Sequence, residues 1–274
     1  MLYSRCGIFA AKGVMEMAII SVSNFKGGVG KTTLCGLLGL EMAAKGYSVL
    51  FIDTDPQANL TETLAYGSRM QEGIRSILTK KVLLDDLIVG IPEIKNLFII
   101  PSTDILLAVE ESYAFADKPY DYLSKLIAQS AIMNDFDYII LDYAPSVSYM
   151  FVSGLLASTH IIVPLDPSMH SWQGIVGFNE LMNHYGIAGK QLKFLASMIN
   201  RTVTEDMDMA KRITTRNDAF KTIIPRLKVY PRAFFARQAV STFAPERRKE
   251  RQRGFPTAIE EWESFIQEFE EWTK

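Results

Sequence analysis

Cysteine is the scarcest chemistry in this chain: only Cys6 and Cys35 occur among 274 residues, and no CxxC spacing exists. A disulfide framework, a zinc site and an iron–sulfur cluster are left without support, and a reducing cytoplasm is the expected setting. Long apolar runs are missing too, since none approaches the roughly 20 residues that a membrane-spanning helix needs. There is no internal repeat, no low-complexity tract and no Pro/Gly/Ser linker long enough to separate two domains, so one domain is expected over residues 17–274. The first 16 residues carry one arginine and an apolar patch shorter than the roughly 7–15 residues of a signal-peptide core. They are expected to be an N-terminal extension or an over-called start, with Met15 or Met17 as the alternative, and they are too few for a helix-turn-helix module.

Net charge is only −2, but its distribution is uneven. From Arg201 to Arg253 there are 14 Lys plus Arg against 6 Asp plus Glu, a local +8, which leaves −10 for the rest of the chain. A basic third on an otherwise acidic protein is the electrostatic footprint of polyanion binding.

Six short, almost continuously apolar runs read as buried strands: 17–23, 47–53, 96–102, 136–142, 160–166 and 192–200. Such runs suit a sheet covered on both faces, and the helical stretches between them predict a doubly wound, mostly parallel α/β sheet. In "KTTLCGLLGLEMAAKG", Leu34, Leu37, Leu38 and Met42 form one helical face and Gly46 ends the helix. The last stretch, 256–273, places Ile259, Trp262, Ile266 and Phe269 at helical spacing and reads as an amphipathic helix docked by that stripe.

Ligands of an open parallel sheet bind at the carboxyl ends of its strands, so the residues after each strand carry the functional signal. After the first comes "KGGVGKTT", Lys26 to Thr33. Gly27, Gly28 and Gly30 let successive N–H groups, including that of Val29, point into one concavity at a helix N-terminus. In such a phosphate loop Lys31 contacts the β- and γ-phosphates, Thr32 ligates Mg²⁺ and Thr33 reaches the α-phosphate. The strict pattern asks for glycine at position 25, where this chain has Phe25. After the second strand, Asp53 and Asp55 are placed to divide labour between the Mg²⁺ shell and an attacking water; alone they would read as a helix-capping turn. Asp142, ending the fourth strand, has the position of a Walker B aspartate, followed by the loop Ala144–Pro145–Ser146. After the sixth, Asn200 offers both a donor and an acceptor to an adenine edge.

Taken in order, "KGGVGKTT", "FIDTDPQANLT", "FDYIILDYAPS", "VPLDPS" and "MINR" resemble the ParA family of partition ATPases, in the deviant Walker A group that also contains MinD. The resemblance runs from about residue 17 to 245 and includes an "IPR…AP" segment. It implies a P-loop NTPase fold, ATP and Mg²⁺ as ligands, and slow hydrolysis. It also implies that Lys26 crosses a homodimer interface to the partner's nucleotide, that Lys31, Thr32, Asp55 and Asp142 serve nucleotide, metal and water, and that Asn200 and Pro225 border the base. Tyr143 and Ala144 depart from the family pattern, which has a small residue and proline there.

The leading expectation is thus an ATPase that dimerises on ATP, binds DNA without sequence preference and partitions a plasmid or chromosome. Hydrolysis would be stimulated by a ParB-like centromere-binding partner, and the protein would be cytoplasmic and nucleoid-associated. Arg226, Lys228, Arg232, Arg237, Arg247, Arg248, Lys249, Arg251 and Arg253 are the candidate phosphate contacts on DNA. The alternative is a MinD-like or other cargo-positioning ATPase. A stable membrane association is not expected, because glutamates surround the C-terminal aromatics and anionic lipid would repel them.

Overall fold

The computed structural model describes residues 16–65, 73–74, 76–79, 82–102, 119–187, 189–243 and 255–274. Eight strands form one sheet in the order β3-β4-β2-β5-β1-β6-β7-β8. They are β1 Ala18–Val22, β2 Val49–Asp53, β3 Val89–Gly90, β4 Leu97–Ile100, β5 Tyr138–Asp142, β6 His160–Leu165, β7 Gln191–Ile199 and β8 Ala219–Pro225. All neighbours run parallel except β3 with β4.

The apolar strand runs have a simple cause: successive side chains enter opposite cores. In β1, Ala18, Ile20 and Val22 pack on one side and Ile19 on the other. The first side is covered by α1 Lys31–Ala44, α2 Asn59–Leu64, α8 Val229–Phe235 and α9 Phe255–Trp272. The second is covered by α4 Tyr122–Gln129, α5 Tyr149–Ala157, α6 Met169–His184 and α7 Thr204–Thr214, while α3 is the short turn Ser76–Thr79. The expected single apolar face of α1 is an understatement. Every residue from Leu34 to Ala43 is buried, because α8 and α9 cover the side turned away from the sheet.

Two strands were not expected. β3 is two residues long, below what periodicity detects. β8 carries Lys221 and Thr222 in mid-strand and ends on a proline, the pattern of an edge strand. That edge is covered: Glu268 of α9 accepts the N–H groups of Lys221 at 2.7 Å and Thr222 at 2.8 Å. In α9, Trp262, Phe265, Ile266 and Phe269 are buried, so the aromatic stripe docks as its spacing predicts.

Candidate functional site

Register places the strand ends at one level. Val22 of β1 and Asp53 of β2 both lie opposite Asp142 of β5, so the loops that follow all leave the sheet along the same edge. Thr54 secures this alignment by donating its N–H at 3.0 Å and its hydroxyl at 2.6 Å to the Asp142 carbonyl.

The loop after β1 turns through two left-handed glycines, Gly28 at φ 76° and Gly30 at φ 88°, and α1 begins directly after it. Among the described residues no side chain caps that helix, and no acid occupies its first turn, so its positive end is left for an anion. The N–H groups border a cleft of about 320 Å³ lined by Gly27, Lys31, Thr32, Thr33, Asp55 and Pro145 among others. Val29 is fully buried and pins the loop from below, its carbonyl accepting from Ser197 at 3.4 Å.

The carboxylates at this cleft differ sharply. Asp142 is fully buried, and neither of its oxygens makes a hydrogen bond of ordinary geometry with the described residues, although the Thr32 hydroxyl lies close enough to favour its charged form. Burial and then the nearby Asp53 carboxylate push its pKa well above the usual range, offset in part by the Thr32 hydroxyl and Lys31. Asp53 is also fully buried but satisfied: it accepts from Asp55 N at 3.0 Å, Thr61 N at 2.9 Å and Thr61 Oγ1 at 2.7 Å. Burial still raises its pKa to about 6. Asp55 is buried in the turn, with one oxygen accepting from Gln57 N at 2.9 Å. The Lys31 ammonium donates to the Lys26 carbonyl at 2.9 Å, and desolvation lowers its pKa against the pull of Asp142 and Asp55.

An unpartnered buried carboxylate beside a hydroxyl suits a hard divalent cation such as Mg²⁺. No cluster of three His, Cys, Asp or Glu groups among the described residues could hold a metal alone. An ion here would therefore be shared by Asp142, Thr32 and the oxygens of a bound phosphate, the usual manner for Mg²⁺.

Phe25 explains the missing glycine. Its ring packs against Phe151 of α5 at 5.6 Å and Phe178 of α6 at 5.4 Å, so the loop entry is an apolar anchor. Beside it, Asn24 donates to the Pro164 carbonyl at 2.7 Å and accepts Lys26 N at 2.9 Å. The Lys26 side chain is not part of the cleft lining. It points to the β6–α6 turn, where its ammonium pairs with Asp166 and donates to Ser168 Oγ at 2.9 Å.

A second, mainly apolar cavity of about 580 Å³ adjoins the cleft, sharing Gly28, Gly30 and Thr33. Pro225, Arg226 and Lys228 line it from the β8 end, and Ser197, Met198 and Trp262 complete its wall. Asn200 is not among the lining residues. It is exposed, and its side-chain oxygen accepts from Thr202 N at 3.2 Å and Thr202 Oγ1 at 2.9 Å, closing the turn into α7. Ser197 and Met198 carried no motif, and Trp262 read only as a docking residue. Its second contact depends on how α9 crosses the strand ends.

The residue after Asp142 is a further addition. The Tyr143 hydroxyl, fully buried, bonds Ser21 of β1 at 2.6 Å, and Ser21 bonds Ser158 at 2.5 Å. Room for the ring comes from Gly154, where a Cβ would lie 2.2 Å from the tyrosine oxygen. A bulky residue therefore stands where the family pattern has a small one because α5 is small opposite it.

Of the basic candidates, Arg226, Lys228 and Arg232 are exposed, whereas Arg237 is half-buried and pairs with Glu93 at 3.4 Å. Arg247, Arg248, Lys249, Arg251 and Arg253 lie outside the described residues, as do residues 1–15.

Comparison with known proteins agrees with this geometry. A family model described as an AAA domain matches residues 17–217. The chain is 32% identical over 81% of its length to an uncharacterized protein of Methanocaldococcus jannaschii, covering 88% of that protein. It is 30% identical over 74% of its length to the chromosome-partitioning ATPase Soj of Treponema pallidum, covering 81% of it. Among solved structures, McdA of Cyanothece in complex with ATP superposes with a TM-score of 0.75 at 20% identity, over 93% of this chain and 96% of that one, a likeness of fold.

Proposed function

The chain belongs to the ParA family of partition ATPases, and from that premise we propose that it is an ATP-dependent dimerising switch that holds and releases DNA. The observation that carries the reading is the separation of the two loop lysines. Lys31 lines the phosphate cleft, while Lys26 projects away from it toward the turn after β6.

In this reading the phosphates lie on the N–H groups of Gly27 to Thr33, with Lys31 leaving the Lys26 carbonyl for the β- and γ-oxygens. The base enters the adjoining apolar cavity beside Pro225, and Asn200 supplies a polar contact to adenine through its amide nitrogen. Thr32 and Asp142 would hold Mg²⁺, which when bound would supply charge neutralisation at the phosphates, and Asp53 would reach it only through water because its oxygens are taken by Thr61 and Asp55. Asp55 orients the attacking water at the cleft. Lys26 of one chain meets the nucleotide of the other, as an arginine finger does in trans. Completion of the site by a second chain and a ParB-like partner would make the basal rate slow.

The exposed cations Arg226, Lys228 and Arg232, with Arg237 and the 247–253 run, would form a sequence-independent DNA surface and associate the protein with the nucleoid. Light scattering with a non-hydrolysable ATP analogue tests the dimer step: the wild type is expected to dimerise and Lys26→Ala to stay monomeric. DNA affinity measured against salt tests the second step, each phosphate contact adding about 0.9 to the slope of log affinity. A slope unchanged by Arg226→Ala and Arg232→Ala together would remove those residues from the surface.

A further inference from the structure

Three consecutive loop residues are fastened to the same neighbour. Asn24 bonds Pro164 at 2.7 Å, Phe25 packs on Phe178 at 5.4 Å, and Lys26 pairs with Asp166 and Ser168. The receiving turn is a built ammonium site. One Asp166 oxygen takes Lys26, and the other accepts the hydroxyls of Ser168, at 2.9 Å, and Ser171. The two lysines are also chained, because Lys31 donates to the carbonyl of Lys26. With neither phosphate nor second chain present, both ammonium groups therefore have protein partners.

We propose that Asp166, supported by Ser168 and Ser171, is a positioning residue that withholds Lys26 in the nucleotide-free monomer and surrenders it when two chains close on ATP. The proposal rests on the reading of Lys26 as the lysine acting in trans. An ammonium held against Asp166 and Ser168 of its own chain cannot at the same time reach phosphate oxygens across an interface, so closure requires an exchange of partners. The side chains of Lys26 and Asp166 are 39% and 21% exposed, so solvent weakens the pair enough for exchange, yet it still biases the lysine inward. Nucleotide initiates the exchange by drawing Lys31 off the Lys26 carbonyl, loosening the backbone from which Lys26 projects. The arrangement suppresses dimerisation in the absence of nucleotide, since the cationic Lys26 is neutralised at home.

The test uses the full chain, Mg²⁺ and a non-hydrolysable ATP analogue, with dimer fraction read by light scattering across analogue concentration. Asp166→Asn is expected to lower the half-maximal analogue concentration roughly two- to fivefold, the scale of a partly exposed ion pair. Ser168→Ala should shift it the same way by less, and because it leaves Asp166 in place it decides the matter if Asp166→Asn fails to fold. Lys26→Ala should abolish dimers, and adding Asp166→Asn to it should restore none. If Lys26→Ala abolishes dimers while Asp166→Asn and Ser168→Ala leave the midpoint unchanged or raise it, the withholding role is overturned and the in-trans role stands. If Lys26→Ala dimerises like wild type, the in-trans role itself falls.

Discussion

Helix α1 separates two buried carboxylates with opposite fates. Asp142, facing its N-terminal end, makes no hydrogen bond of ordinary geometry with the described residues. Glu41, near its C-terminal end, is 5% exposed and satisfied by Ser241 N at 3.3 Å, Ser241 Oγ at 2.5 Å and Trp262 Nε1 at 2.9 Å. Burial of an acid is costly in both places, but only at Glu41 does the fold itself compensate. The satisfied acid holds α9 and the 239–243 turn against α1. The orphaned one keeps its coordination capacity for something that arrives from outside. Asp53 stands between them: it is hydrogen-bonded, yet burial, and to a lesser degree the nearby Asp55 carboxylate, still raises its pKa.

This contrast breaks if the two acids respond alike to substitution. Asp142→Asn is expected to cut ATP hydrolysis by about 100-fold or more while leaving the melting temperature unchanged or higher, since a buried charge is removed. Thermal melting and phosphate release measured on the same preparation check both halves. Next in size is pH. Folding raises the pKa of Asp53 from 3.8 to about 6, so the folded state holds its proton over that window and the unfolded chain does not. Stability of the nucleotide-free protein should therefore fall as pH rises from about 4 to about 6.5. Urea titrations across that range, with and without Mg²⁺ and ATP, would show whether bound ligand flattens the trend.

At the other acid, Glu41→Ala should cost about 2 kcal/mol of stability through the unpaired Trp262 and Ser241 donors, with hydrolysis retained. Gly154→Ala should cost about 1–2 kcal/mol by crowding Tyr143, and it should also slow hydrolysis, because the displaced residue adjoins Asp142. The smallest effect belongs to Lys45→Ala, which loses only the exposed pair with Glu270 at 2.8 Å and should change stability by less than about 1 kcal/mol.

Much of the site was legible before any coordinates, because a phosphate loop is a local object. In the proposed phosphate loop the glycines, Lys31 and Thr32 lie within eight consecutive residues, and strand-to-helix punctuation fixes where they stand. The strand ends were legible for the same reason, since continuous apolar runs mark where β2 and β5 stop and Asp53 and Asp142 begin. What could not be read were contacts between residues far apart in the chain. Lys26 and Asp166 are 140 positions apart, Tyr143 and Ser21 are 122 apart, and Trp262 meets Glu41 across 221. β8 escapes a reading of the sequence because an edge strand with a charged mid-strand residue has no apolar continuity, and the hydrogen bonds by which Asn200 closes the turn into α7 leave no local signal.

By itself, then, the sequence determined the fold class and the glycine-rich loop with its two lysines, through which it resembles the family, because each is a matter of local spacing and period. Tertiary structure alone decided which acid stays unsatisfied, which aromatic lines the cavity beside the loop, and where Lys26 rests. Hydrogen-bond satisfaction and burial depend on what folding brings together, and no local pattern records that.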